Sequence, residues 1–95
     1  MKLERLPGGD LIAKGLRDLA AGQESAEALL VAVGADRLRR AGVDVPARAD
    51  TIDSPEHRLY ELLEARDVRA AHGHYNALVR RLVSFERAAE HAASR

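Results

Sequence analysis

Read as apolar and polar positions, the chain divides into amphipathic stretches separated by glycine, proline and aspartate. After Pro7-Gly8-Gly9, the residues Leu11, Ile12, Gly15, Leu16 and Leu19 recur at helical spacing, with Asp10, Lys14 and Asp18 as an i, i+4 charge series on the opposite side. Asp10 is placed to cap this helix, and Gly22 to stop it. Ser25 predicts the next N-terminus, and Glu24 and Glu27 suit its positive end. Leu29, Leu30, Val31 and Val33 then run almost unbroken to Gly34, and a helical pattern continues through Leu38 to Gly42. Gly34 is able to divide that helix in two. The same residues admit a rival reading, with a strand in ALLVAVG, a short helix in ADRLRRAG and a second strand in VDV. One strand-helix-strand unit of this size has no sheet to join, so the helical reading is preferred.

Residues 43–53, VDVPARADTID, show no periodicity and read as a long internal loop, either mobile or packed on a partner. Ser54-Pro55-Glu56 is the clearest start signal: a cap, a proline suited to the first helical position and an acidic first turn. Leu59, Tyr60, Leu62 and Leu63 give that helix an apolar face to about Arg66, and Asp67 is placed as a new cap. In the last segment Val68, Ala71, Tyr75, Leu78, Leu82, Phe85, Ala89 and Ala92 follow a 3-4-3-4-3-4-3 spacing, a heptad seam. Gly73 can break or kink it, and Val79 and Val83 widen the stripe enough to face more than one helix.

The fold class expected is all-α: one domain over residues 1–95, a small bundle of four to five helices with a long C-terminal helix. The seam is roughly 37 Å long at 1.5 Å per residue, longer than any upstream helix. It therefore predicts a homodimer, with Val68, Ala71, Tyr75, Leu78, Leu82, Phe85 and Ala89 at the interface.

Composition narrows the function classes. Of the 46% of residues that are hydrophobic, 18 are alanine, which favours helix and close backbone approach over a large core. The absence of cysteine excludes disulfide scaffolds, thiolate zinc sites and cysteine nucleophiles. Lys and Arg number 15 and Asp and Glu 15, so no global field favours nucleic acid or an acidic membrane. No apolar run approaches a membrane span and no signal-peptide core opens the chain, so a cytoplasmic location is expected. Thirteen arginines beside the alanine excess suggest a GC-rich, bacterial genome.

Candidate chemistry centres on the histidines. His57, Glu61 and Glu64 share one helix face, which could contribute donors to a metal site, but the Glu-x-x-His pairs of di-iron bundles are absent. The expectation is a solvated face, with no metal and no cofactor. His72 and His74 point about 200 degrees apart on a continuous helix and cannot chelate together. His91 lies near the end of the chain.

Arg66 followed by His72, and Arg69 followed by His74, leave five and four intervening residues. This spacing resembles the Arg-x(4–6)-His motif of the HEPN superfamily of helical RNases and nucleotide-binding partners. The resemblance implies an arginine and a histidine acting together at a dimer interface, and RNA cleavage without a metal. Histidine can move the 2′-hydroxyl proton and arginine can hold the phosphate. Asp67 follows Arg66 as polar residues often follow the motif's arginine. The resemblance covers about ten residues, and the aromatic residue expected two positions after the histidine is replaced by His74 or Asn76. Composition alone generates roughly one or two such spacings in a chain of this kind.

Arg37, Arg39 and Arg40, with Arg48 nearby, are the densest basic cluster and would touch phosphates in a nucleic-acid adaptor. Asp36, Asp44 and Asp50 interrupt it, and three aromatics leave little for stacking, so a solvated helix end is the simpler reading. Arg80 and Arg81 flank the seam, where they keep the helix soluble or pair across an interface. No glycine-rich phosphate loop and no nucleophile elbow is present. The sequence thus points to a homodimeric protein-interaction module, with an unidentified protein partner open, a HEPN-like metal-independent RNase or nucleotidyltransferase-partner protein using Arg66, Arg69, His72 and His74 as the alternative, and a nucleic-acid adaptor using Arg37–Arg40 as the third.

Overall fold

A computed structural model of the chain describes residues 2–94. Five α-helices follow in order: α1 (Gly9–Ala20), α2 (Ala26–Val33), α3 (Ala35–Arg40), α4 (Pro55–Arg66) and α5 (Ala71–Ala93). Short 3-10 turns occupy Leu3–Arg5 and Ala47–Thr51. No strand occurs among the described residues, so the strand-helix-strand reading of 28–45 falls. Residues 28–31 lie wholly inside the bundle, and an unbroken apolar run is what a helix covered on all sides requires.

Local signals account for most boundaries. The Ser25 hydroxyl accepts from the Ala28 amide at 3.1 Å and donates to the Asp18 carboxylate, so one side chain caps α2 and ties it to α1. Lys14 completes this junction, donating to Asp18 at 2.7 Å and to Glu27 at 3.4 Å. The hydrogen bond to Asp18 raises the lysine's pKa, and the bonds from Lys14 and Ser25 lower that of Asp18. Gly34 ends α2 and begins α3, settling the division that the sequence left open. α4 starts at Pro55, but Ser54 makes no side-chain cap bond; it turns the chain with a left-handed φ of 46° instead. Asp10 likewise is no cap: α1 opens one residue earlier, behind the left-handed Gly8, and Asp10 sits in its first turn.

α2 is the centre of the bundle. It packs against α1, α4 and α5, with α3 folding back onto α5. α1 lies close because Gly15 offers no Cβ: one built there would stand 2.4 Å from the Glu27 carbonyl oxygen and 2.5 Å from Val31 Cγ2. Residues 43–53 are not a free loop. Val43, Val45, Ala49 and Ile52 are buried in the common core, and the 3-10 turn at Ala47–Thr51 packs on α2. Alternate residues of VDV and then Ala49 and Ile52 face inward, a pattern too irregular to register as periodic.

The seam also needs correcting at its start. Val68 lies outside α5, in the turn at 68–70, and is 69% exposed. Asp67 makes that turn, its carboxylate accepting from the amides of Arg69 at 3.1 Å and Ala70 at 3.4 Å. Gly73 falls within the first turn of α5 and the helix runs on through it without a break. The described residues span 42 × 25 × 18 Å, with a radius of gyration of 12.7 Å. No helix among the described residues is long and apolar enough to cross a membrane.

Candidate functional site

The heptad residues of α5 face the chain's own core. Ala71, Leu78, Leu82, Phe85 and Ala89 are buried, Leu82 with 3% exposure, while Tyr75 is half-buried. They are covered by the surrounding helices within one chain, so their periodicity needs no second copy to explain it. What α5 leaves uncovered is the neighbouring flank: Val79 and Val83 are half-buried, and His72, Asn76 and Arg87 are exposed.

At the N-terminal end of that flank, α4 and α5 meet in an aromatic contact. The Tyr60 ring lies 5.5 Å from Tyr75 at 56° and 6.5 Å from His72 at 59°, centroid to centroid. The Asn76 amide nitrogen is 3.2 Å from His72 Nε2, one turn along α5, and can donate to it when the ring is neutral. Arg66 ends α4, Arg69 lies in the turn, and His72 and His74 are in the first turn of α5, all four exposed. The fold therefore gathers the four residues of the Arg-x(4–6)-His spacings at one exposed corner. The described residues form no pocket.

Towards the C-terminal end of that flank is a charged cluster that the sequence reading missed. Glu86 is only 4% exposed. Arg37 reaches it from α3 at 3.3 Å and grips Glu90 with two bonds, Nε at 2.7 Å and Nη2 at 2.9 Å. Gly34 makes room for the buried carboxylate: a Cβ there would lie 2.8 Å from Glu86 Oε2. Burial pushes the Glu86 carboxyl above its ordinary range, with Glu90 adding to the rise and Arg37 opposing it. The hydrogen bond from Arg37 holds Glu90 below its ordinary range. The signal available in the sequence was position: Glu86 falls between Phe85 and Ala89 on the inner side of a helix.

The basic cluster is largely spent inside the chain. Arg37 is committed to Glu86 and Glu90, and Arg39 donates to Asp50 at 2.8 Å and to the Val45 and Pro46 carbonyls at 3.2 Å. Both arginines are thereby structural, and Arg40 alone of the three is fully exposed. Arg81 pairs with Asp10 at 2.9 Å, across the chain's own α1–α5 contact. His57 Nε2 and Glu61 stand 3.5 Å apart on an exposed face, and no group of three His, Asp or Glu side chains among the described residues is placed to hold a metal ion. No family model, no curated protein and no solved structure matches the chain.

Proposed function

We propose that the chain is a homodimeric protein-interaction module without catalytic activity. The observation that carries this reading is the placement of exposed apolar surface. Val68, the one exposed large apolar side chain among the described residues, precedes α5, whose outer flank bears the half-buried Val79 and Val83. Exposed and half-exposed apolar groups that adjoin along one helix flank are suited to a contact surface. A cytoplasmic location fits the cysteine-free composition, since small secreted domains are commonly stapled by disulfides. Sedimentation equilibrium tests the assembly: the reading expects a mass of twice the 10.3 kDa chain, and a monomer at about 1 mM overturns it.

A second reading is favoured by the α4–α5 corner, where Arg66, Arg69, His72 and His74 are exposed together and His72 is held by Asn76 and Tyr60. There a histidine would take the 2′-hydroxyl proton while an arginine held the phosphate. Loss of single-stranded RNA cleavage in both His72→Ala and His74→Ala, with the helical signal intact, would support it. Wild-type protein that leaves such RNA uncut removes it.

A further inference from the structure

We infer that the outer flank of α5 pairs with the same flank of a second copy, antiparallel, about a two-fold axis level with residue 81. This rests on the homodimeric reading and assigns its surface. The residues concerned are His72, Asn76, Val79, Val83, Arg87 and Glu90, spaced 4-3-4-4-3 along α5. That spacing keeps them on one stripe of the helix, beside the buried seam and not within it. The stripe extends over 19 residues, roughly 27 Å from first to last.

Its chemistry is self-complementary in one direction only. With the axis level with residue 81, Val79 faces Val83 of the partner subunit and is met in return, so four valines form the centre. His72 comes level with Glu90 of the partner subunit at each end, and Tyr75 with Arg87 of the partner subunit. The first adds a histidine to a carboxylate that keeps 42% side-chain exposure while bonded to Arg37 of its own chain, and the second is a cation–π contact with a ring already held by Tyr60 at 5.5 Å. A parallel pairing sets every residue against itself: Arg87 on Arg87, Glu90 on Glu90, and two helix dipoles side by side in the same sense. Like charges facing each other near the C-terminal end disfavour that arrangement. The antiparallel register also brings exposed Val68 level with the alanine-rich C-terminal turn of the partner subunit, where Ala92 and Ala93 are exposed. Few apolar groups and a single helix on each side make a small interface, so the dimer is a weak one that forms at high concentration.

The absence of cysteine makes the test clean. Val79→Cys and Val83→Cys proteins are prepared separately, mixed and oxidised, with far-ultraviolet circular dichroism checking the fold of each. The antiparallel register expects the mixed 79–83 disulfide to dominate, because each valine faces the other position of the partner subunit. Disulfides of 79 with 79 or 83 with 83 in its place overturn the proposal. A second variant, Arg87→Glu, lies on the exposed surface and leaves the core untouched; it should raise the dimer dissociation constant by about threefold or more. A dimer that is seen in sedimentation but is indifferent to Arg87→Glu and forms no mixed disulfide refutes this surface while leaving the homodimer standing. A chain that stays monomeric to about 1 mM refutes both.

Discussion

One substitution, glycine to alanine, should have opposite effects at two helical positions of this protein. Within a helix the change ordinarily gains about 1 kcal/mol, because alanine has less backbone freedom to lose on folding. Gly73 meets that condition: a Cβ built on it has nothing within 4 Å. Its place in the first turn of α5 puts the expected gain at about 0.5–1 kcal/mol. Gly15 does not meet it. The added methyl would stand 2.4 Å from the Glu27 carbonyl oxygen and 2.8 Å from the carbon that bears it. Ordinary van der Waals separation begins about 1 Å further out. A rotamer change can relieve Val31 Cγ2, at 2.5 Å, but the carbonyl belongs to the backbone of α2 and cannot turn away.

To admit alanine at position 15, α1 must therefore lift from the central helix along their contact. Overpacking of this kind costs about 1–3 kcal/mol, against which the propensity gain of about 1 kcal/mol is set. The expected net is a loss of about 1–2 kcal/mol, or a fall in Tm of roughly 5–15 °C for a domain of this size. Urea unfolding followed at 222 nm, on wild type, Gly15→Ala and Gly73→Ala, reads both effects. A Gly15→Ala protein as stable as wild type would refute the close approach of α1 and α2. A destabilised Gly73→Ala protein would refute the open environment at the start of α5.

Three further outcomes follow from other contacts. Leu82→Asp should unfold the chain and not merely dissociate it, because Leu82 is buried in the chain's own core; a folded monomer by circular dichroism and sedimentation would contradict that burial. Ser25→Ala should cost about 1 kcal/mol in the same urea assay, since it removes the cap on the Ala28 amide and the link to Asp18 together, and an unchanged midpoint would show the cap to be idle. Glu86 carries a pH signature: its folded pKa is raised above the ordinary 4.5, so the folded state holds its proton more tightly than the unfolded one. Wild type is then penalised above the folded pKa and relieved as pH falls towards 4.5, so the stability of Glu86→Gln relative to wild type should be higher at neutral pH than at pH 4.5. A stability difference between the two that does not change from neutral pH to pH 4.5 would refute the sign.

The helices were legible where a local device defines them. Ser25, Pro55 and Gly34 each act within a turn of their own position, so their effect is written in neighbouring residues. Residues 43–53 were not legible for the opposite reason: Val43, Val45, Ala49 and Ile52 are held by distant elements, in a path with no repeat. Ser54 shows how a correct boundary can come from a wrong mechanism. Proline at the first helical position sufficed to start α4, and the serine served the turn before it.

The α5 seam exposes a deeper ambiguity, one that bears on function. Heptad spacing states that a stripe must be covered, and it is silent on which chain covers it. The length argument for a second copy treated each upstream helix as acting alone. α2, α3 and α4 each cover a part, and between them they bury Ala71, Leu78, Leu82, Phe85 and Ala89. The surface of the proposed dimer must then be sought among residues that the periodicity ranks second: Val79 and Val83, which widened the stripe, and the polar His72, Asn76, Arg87 and Glu90 around them. Those positions are where self-complementarity of charge can be tested. The fully buried seam residues are poor probes of it, because a disruptive substitution there damages the chain's own core first.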